Sequence, residues 1–191
     1  MKTKIEYKKI GQKRLSNILA KDWDKRTSRD IRDLELHMVW VLRHIEHFKN
    51  LKRRSRRSKI DCSDGYNNFV ELKWRFDKQW PQGTMLEYYK YCHMKTLGHA
   101  NQFYAVHCQG LIYVFFINKL VAEGFEFDWY DKLCNFTTNL QKGTDGQKIY
   151  KTQCDIPWHL ASAVMDLQGN RLPNPIGHFD YEMAITTEDA M

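Results

Sequence analysis

The pattern that most constrains the fold is a helical repeat of apolar residues between positions 28 and 52. The hydroxyl of Thr27 or Ser28 can accept a hydrogen bond from an unpaired first-turn amide, and Asp30 suits the positive end of a helix dipole. The apolar positions then recur every three or four residues: Ile31, Leu34, Met38, Val41, Leu42, Ile45 and Phe48. This sequence therefore predicts an amphipathic helix over residues 28–52, with one face packed on a core.

Similar spacing of apolar residues recurs along most of the chain. It predicts further helices over residues 5–24, 85–97, 99–123, 129–140 and 157–167. The segment 99–123 is the most apolar, so we expect it to be the central buried helix, stopped by a left-handed Gly124. Residues 70–76 alternate apolar and charged side chains, which favours a half-buried strand, although a helical face also fits. We therefore expect a mainly α fold, a single helical domain of five to six helices over residues 1–169, with one short β element near residues 69–76.

The character of the sequence changes after Gly169. Pro173 and Pro175 each lack an amide donor and restrict the residue before them, so this segment cannot continue a helix. Residues 170–191 are predicted to form an extended C-terminal arm, which either adds as a strand to its own domain or a neighbouring subunit, or is a loose tail. The arm and the 14% aromatic content favour a subunit of a larger assembly, with protein partners or further copies of the chain.

A run of cations overlaps the end of the predicted helix 28–52. Residues 49–59 contain seven basic side chains and no acid: Lys49, Lys52, Arg53, Arg54, Arg56, Arg57 and Lys59. Such a density repels itself unless an anion neutralises it, and a net charge of +7 points the same way. The run predicts contacts with the phosphate backbone of RNA or DNA, with Trp74 nearby to stack on an unpaired base. An acidic protein subunit is the alternative partner.

Arg32 and His37 form a second candidate site. The segment Arg32-Asp33-Leu34-Glu35-Leu36-His37 resembles, in its spacing, the Arg-x4-His motif of HEPN-type ribonucleases. The resemblance implies a composite site between paired subunits that cleaves RNA. In such a site Arg32 would stabilise charge on the phosphate and His37 would transfer protons.

Metal and cofactor motifs are not indicated by the sequence. His44 and His47 are three residues apart, but their neighbours do not complete a His-Glu-x-x-His zinc motif. The sequence also contains no phosphate loop, dinucleotide-binding fingerprint or nucleophile elbow. The five cysteines are odd in number and widely spaced, which favours reduced, buried thiols. We therefore expect no metal and no cofactor.

The sequence also bears on location. The longest apolar run, residues 111–117, is too short to cross a bilayer, and the basic N-terminus is not followed by the apolar core of a signal peptide. We expect a protein of the cytoplasm or of a virus particle that is not secreted. The leading hypothesis is a non-enzymatic, backbone-directed nucleic-acid-binding subunit of a larger assembly. The alternatives are a structural connector protein of a virus particle and the composite-site ribonuclease.

Overall fold

The structure is a computed structural model that describes residues 10–21, 25–55, 58–75, 83–135 and 148–173. Its helices are α1 (Gln12–Leu19), α2 (Ser28–Leu42), α3 (Tyr88–Lys95) and α4 (Ile117–Ala122). Its strands are β1 (Lys52–Arg53), β2 (Cys62–Ser63), β3 (Asn68–Trp74), β4 (Gly83–Glu87), β5 (Asn101–Cys108), β6 (Leu111–Phe116), β7 (Tyr130–Asn135), β8 (Lys148–Pro157), β9 (Ala163–Asp166) and β10 (Arg171–Leu172). The expectation of a mainly α fold is wrong, because two sheets form most of the core and the fold is mixed α/β.

The main sheet has the strand order β1-β2-β3-β5-β6-β9-β10. Strands β3 and β5 are parallel neighbours, whereas every other adjacent pair in this sheet is antiparallel. A parallel pair needs a long crossover between its strands. Here the crossover contains β4 and α3, so both elements are carried across one face of the sheet next to β3.

Helices α1 and α2 cover the opposite face of the main sheet. Thr27 caps α2 through a reciprocal pair of hydrogen bonds with Asp30, as the sequence predicted for this position. Asp30 is itself buried and bonded by Arg14 and Lys21 of the α1 region. The core on this face contains Leu15 and Ile18 from α1, Leu34, Met38, Val41 and Leu42 from α2, and Val70, Leu72, Ala105, Val114 and Met165 from the sheet.

A second layer covers the other face of the main sheet. It consists of α3, α4 and a three-stranded antiparallel sheet with the order β4-β8-β7. Leu86 and Ile156 from the small sheet are fully buried, in one cluster with Tyr104, Phe115 and Trp158. The central strands of the main sheet are therefore buried on both faces.

The largest error of the sequence interpretation is the central helix predicted over residues 99–123. This segment forms β5, β6 and the short helix α4. Gln109 and Gly110 have φ of 51° and 83°, the left-handed backbone that a two-residue hairpin requires between Cys108 and its partner Leu111. Because both faces of these strands are buried, apolar residues occupy nearly every position and imitate a buried helix. The left-handed stop at Gly124 is confirmed, with φ of 79°.

Other predicted helices are shorter than expected or are strands. Helix 28–52 is confirmed only over residues 28–42, and Ile45 and Phe48 reach the same core through a turn and a short 3-10 helix. Helix 5–24 is observed over residues 12–19. The segment 85–97, predicted as one helix, forms the end of β4 followed by α3. The segment predicted as helix 129–140 contains strand β7. The segment predicted as helix 157–167 forms a short 3-10 helix followed by β9.

Two further predictions concern residues 70–76 and the C-terminal arm. The strand favoured over residues 70–76 is confirmed as β3. The predicted arm starts at residue 170, and its Arg171–Leu172 pairs with β9 as the edge strand β10. The rest of the arm, from residue 174 onward, lies outside the described residues. No helix in the described part of the chain has the length and apolar character that crossing a membrane requires.

Gly83 provides a test of the pairing between β4 and β8. A Cβ atom at this position would collide with the main-chain carbonyl of Ile156, which is fixed in β8. We expect Gly83→Ala to lower the free energy of unfolding by about 1–3 kcal/mol, the usual cost of overpacking. Gly11→Ala is the matched control, because a Cβ there meets no atom within 4 Å. Urea denaturation of both variants measures the difference, and equal stabilities would contradict this strand pairing.

Candidate functional site

Strand β3 places two charged side chains on an internal face of the protein. Residues two apart on a strand share a face, so Glu71 and Lys73 point the same way while Val70 and Leu72 enter the core under α2. The face that carries Glu71 lies against the crossover elements β4 and α3. Glu71 is consequently only 3% exposed. A carboxyl group in such a position is costly unless it has a specific role or partner.

Asp61 is the second carboxyl at this position. Cys62 pairs with Val70 across β2 and β3, so Asp61 lies one step along the ladder, beside Glu71. Its Oδ2 accepts a 3.0 Å hydrogen bond from the amide of Leu72. Its main-chain carbonyl accepts a 2.7 Å hydrogen bond from the amide of Arg54. Contacts with both neighbouring segments hold Asp61 next to Glu71.

The environment of Glu71 combines burial, a second carboxyl group and a lysine. Lys90 of α3 places its Nζ 2.6 Å from Glu71 Oε1, whereas the buried Oε2 has no hydrogen-bond partner among the described residues. Burial and the neighbouring Asp61 raise the pKa of Glu71 to about 8, against the attraction of Lys90. The carboxyl group therefore retains a proton near neutral pH, and a bound cation would displace it.

Lys73 and Glu87 extend the charged cluster towards the small sheet. Glu87 Oε1 lies 3.4 Å from Lys73 Nζ and 3.3 Å from Lys151 Nζ. Burial opposes the ionisation of Glu87, but the two lysines outweigh it and lower the pKa of this carboxyl. Burial, reinforced by the charge of Arg75, lowers the pKa of Lys73. The side chain of Lys73 still keeps 36% of its surface exposed, so a solvent molecule can reach it.

A surface pocket of about 290 Å³ opens beside Asp61. Its wall includes Arg32 and Glu35 from α2 and Arg53 and Arg54 from the basic run. Arg53 Nη2 lies 2.5 Å from Glu35 Oε2, an ion pair that holds the edge strand β1 against α2. The pocket therefore joins the basic run to one of the two adjacent carboxylates.

The other predicted cations of the basic run have different environments. Lys49 pairs with the exposed Glu46 at 2.9 Å, and the guanidinium of Arg54 lies over the ring of Phe69 at 5.5 Å. Lys52 and Lys59 are exposed. Arg56 and Arg57 lie outside the described residues. The structure thus brings Arg53 and Arg54 to the pocket, and places Lys52 and Lys59 on exposed segments beside it.

The structure also places the three remaining candidate residues, Trp74, Arg32 and His37. Trp74 stacks on His107 with ring centroids 3.9 Å apart, so this partner already covers one face of its indole. Arg32 is exposed at the pocket, whereas His37 is fully buried. His37 Nδ1 accepts a hydrogen bond from the amide of Ile10, and its Nε2 lies 2.9 Å from the carbonyl oxygen of Leu167. The buried His37 connects two segments of the chain through these contacts, and the ribonuclease hypothesis gains no support from them.

The residues present fit a divalent cation of the magnesium type. No group of three or more His, Cys, Asp or Glu side chains in the described ranges is arranged to enclose a metal ion. Magnesium does not need such an enclosure, because it commonly binds one or two carboxylates and completes its shell with water and substrate phosphates. Asp61 and Glu71 are two neighbouring carboxyl groups, and the buried Oε2 of Glu71 receives no hydrogen bond among the described residues.

Comparisons with known proteins leave the chain without an assigned relative. No family model matches it, and neither the curated proteins nor the solved structures yield a match. The case for a function therefore depends on the geometry of the site.

Asp61, Glu71, Glu87 and Lys90 were not selected from the sequence. The alternation of residues 70–76 indicates a half-buried strand, and such a strand normally turns its charged side chains towards solvent. Only the crossover through β4 and α3 shows that this face is covered. The sequence did contain one signal for this site. Glu71 and Lys73 form a Glu-x-Lys pair within a predicted strand, and Asp61 lies ten residues before Glu71, just after the basic run.

The raised pKa of Glu71 predicts a pH effect on stability. A carboxyl group with a pKa near 8 in the folded state and an ordinary pKa of 4.5 when unfolded binds more protons in the folded state, so the unfolding free energy decreases as pH rises between these values. One such group contributes at most about 1.4 kcal/mol per pH unit. Glu71→Gln should therefore gain stability relative to wild type as the pH rises from 5 to 8, measured by urea denaturation.

Glu46→Gln is the control for this pH effect. The hydrogen bond from Lys49 lowers the pKa of Glu46, so its removal must not reproduce the gain with rising pH. A stability difference between Glu71→Gln and wild type that stays constant from pH 5 to 8 would show that Glu71 ionises normally.

Proposed function

We propose that the protein binds a nucleic-acid backbone at the Asp61–Glu71 site and hydrolyses a phosphodiester bond there with a divalent cation. One observation carries the proposal: Asp61 and Glu71 lie side by side with Lys90 bonded to Glu71, next to a pocket lined by Arg53 and Arg54. Two adjacent carboxylates attract a cation, and the arginines attract a phosphate. Metal-assisted hydrolysis of a phosphodiester needs the cation and the phosphate at one place.

The two carboxylates share one task in this proposal. Asp61, held by the amide of Leu72, and Glu71, held by Lys90, would both supply oxygens to one ion. A divalent cation at such a position supplies charge stabilisation for a phosphate and increases the acidity of water. Glu71 must lose its proton before it can act as a ligand, so the site binds the ion more tightly as pH rises towards 8.

Lys73 is suited to handle the attacking water. Hydrolysis forms a bond between the water oxygen and phosphorus and breaks the bond from phosphorus to one sugar oxygen. The water would give one proton to the unprotonated amine of Lys73, which returns it to solvent, and the leaving sugar oxygen would take a proton from solvent. Lys73 lies on the same face of β3 as Glu71 and remains partly exposed. Its lowered pKa leaves a larger fraction of its Nζ unprotonated than in an ordinary lysine, and only the unprotonated amine can accept a proton.

The basic run supplies the affinity for the backbone. Arg54 lies at the pocket, and the exposed Lys52 and Lys59 lie on the segments before and after it. Such cations contact phosphates without reading sequence, which suits either RNA or DNA. A purely binding, non-enzymatic subunit shares this surface and is the second candidate. A non-enzymatic subunit needs the exposed cations but not the adjacent carboxylates. Variants of Asp61 and Glu71 therefore distinguish the hydrolytic function from simple binding.

The proposal predicts cleavage that depends on both the metal and the carboxylates. Labelled single- and double-stranded DNA and RNA are incubated with the purified protein and Mg²⁺ or Mn²⁺, with EDTA as the metal-free comparison. We expect at least one of the four substrates to be cleaved with metal and none with EDTA. Asp61→Asn, Glu71→Gln and Lys73→Met should each reduce the rate about 100-fold or more. Gel electrophoresis of the products measures the rates.

Glu46→Gln is the matched control for the carboxylate variants, because Glu46 is an exposed carboxylate that contacts Lys49. It should cleave at the wild-type rate. Equal activity of wild type and the three site variants would identify a contaminating nuclease. Nucleic-acid binding without cleavage of any substrate would favour the non-enzymatic subunit.

A further inference from the structure

The first turn of α3 lies against the candidate site. Strand β4 ends at Glu87, which contacts Lys73, and α3 begins at the next residue. Within that turn Lys90 reaches Glu71 Oε1 at 2.6 Å. A nucleic acid whose phosphate occupies the Asp61–Glu71 site therefore passes close to the side chains at the start of α3.

Tyr89 is the aromatic side chain next to Lys90, and it is 60% exposed. Its ring meets that of His93, one turn later, edge to face with centroids 4.1 Å apart. This contact limits the rotation of the tyrosine ring while leaving most of its surface open. An exposed aromatic ring in a fixed orientation is suited to stacking, because little conformational freedom is lost on binding.

Lysine charges act on this aromatic pair. Burial, together with the charges of Lys59 and Lys90, lowers the pKa of His93. Lys59 is the last cation of the basic run and Lys90 follows Tyr89 on α3, so charges of both segments act at the start of this helix. Aromatic rings beside a cationic path are the arrangement that binds unpaired nucleotides, the bases stacking and the backbone meeting the cations.

Other aromatic side chains near the site are stacked, lie under a cation or are less exposed than Tyr89, as Tyr88 is at 44%. Arg54 lies over the ring of Phe69, and His107 stacks on Trp74. Tyr88, before Tyr89 on α3, meets Trp129 edge to face at 4.9 Å. Tyr89 therefore combines exposure, a contact that fixes its ring and a direct neighbour in the site.

We infer that Tyr89 stacks on an unpaired base next to the phosphate held at Asp61 and Glu71, so that the substrate carries single-stranded nucleotides at the cleavage position. This inference rests on the proposed function, because the phosphate at the carboxylates fixes where the base lies. It names a substrate class that the carboxylate site alone does not specify.

Binding of matched oligonucleotides tests the inference. The affinities of wild type, Tyr89→Ala and Tyr89→Phe for a single strand and for a duplex of the same sequence are compared by fluorescence anisotropy with Ca²⁺ present. Loss of one base–aromatic stack should weaken single-strand binding by Tyr89→Ala roughly 5- to 100-fold. Tyr89→Phe, which keeps the ring, should bind as wild type does, and duplex binding should be unchanged in both variants.

Tyr66→Ala is the matched control, since Tyr66 is 82% exposed in the turn between β2 and β3. It should leave single-strand binding unchanged. Single-strand binding by Tyr89→Ala at wild-type strength, or equal losses on single strand and duplex, would overturn the inference.

Cleavage assays separate this result from the proposed function. If wild type cleaves with metal and Tyr89→Ala keeps its single-strand affinity and rate, the stacking inference fails and the hydrolytic function stands. If Tyr89→Ala loses single-strand affinity while no variant or wild type cleaves any substrate, stacking is supported and the hydrolytic function fails.

Discussion

The burial of Glu71 beside Asp61 is the constraint on which the rest of the candidate site depends. A carboxyl group that is 3% exposed and adjacent to another is unfavourable for folding unless it is protonated or paired with a cation. The protein provides part of the compensation through Lys90. Strongly shifted, buried carboxyl groups are common at ligand sites.

The topology explains why these groups meet. Because β3 and β5 are parallel, the chain must cross the sheet between them, and the crossover brings Glu87 and Lys90 over the face that carries Glu71 and Lys73. The antiparallel pairing of β2 with β3 brings Asp61 to the same position from the other side. The basic run contains β1 and most of the connection from β1 to β2, so its pocket opens next to Asp61. Three local connections thus assemble carboxylates and cations that are distant in sequence.

Sequence patterns correctly identified elements that have one exposed face. They gave the wrong secondary structure for elements that are buried on both faces. Helix α2 has a clear apolar stripe and a Thr27 cap, and its N-terminal boundary was predicted correctly. Strands β5 and β6 lie between two layers, so their apolar residues no longer alternate with polar ones and a helix was predicted instead. The same burial concealed the site, because the charges of β3 look solvent-facing until the second layer is known. The basic run was recognised from its composition, and the structure adds the carboxylates beside it.

The most direct measurement is the titration of Mn²⁺ into the protein by isothermal calorimetry at pH 7, in two buffers with different ionisation enthalpies. Displacement of the proton from Glu71 predicts the release of about one proton per ion bound, decreasing towards zero as the pH is raised above 8. Glu71→Gln should abolish the proton release and weaken binding. The absence of saturable Mn²⁺ binding, or binding with no proton release at pH 7, would contradict a cation site at Asp61 and Glu71.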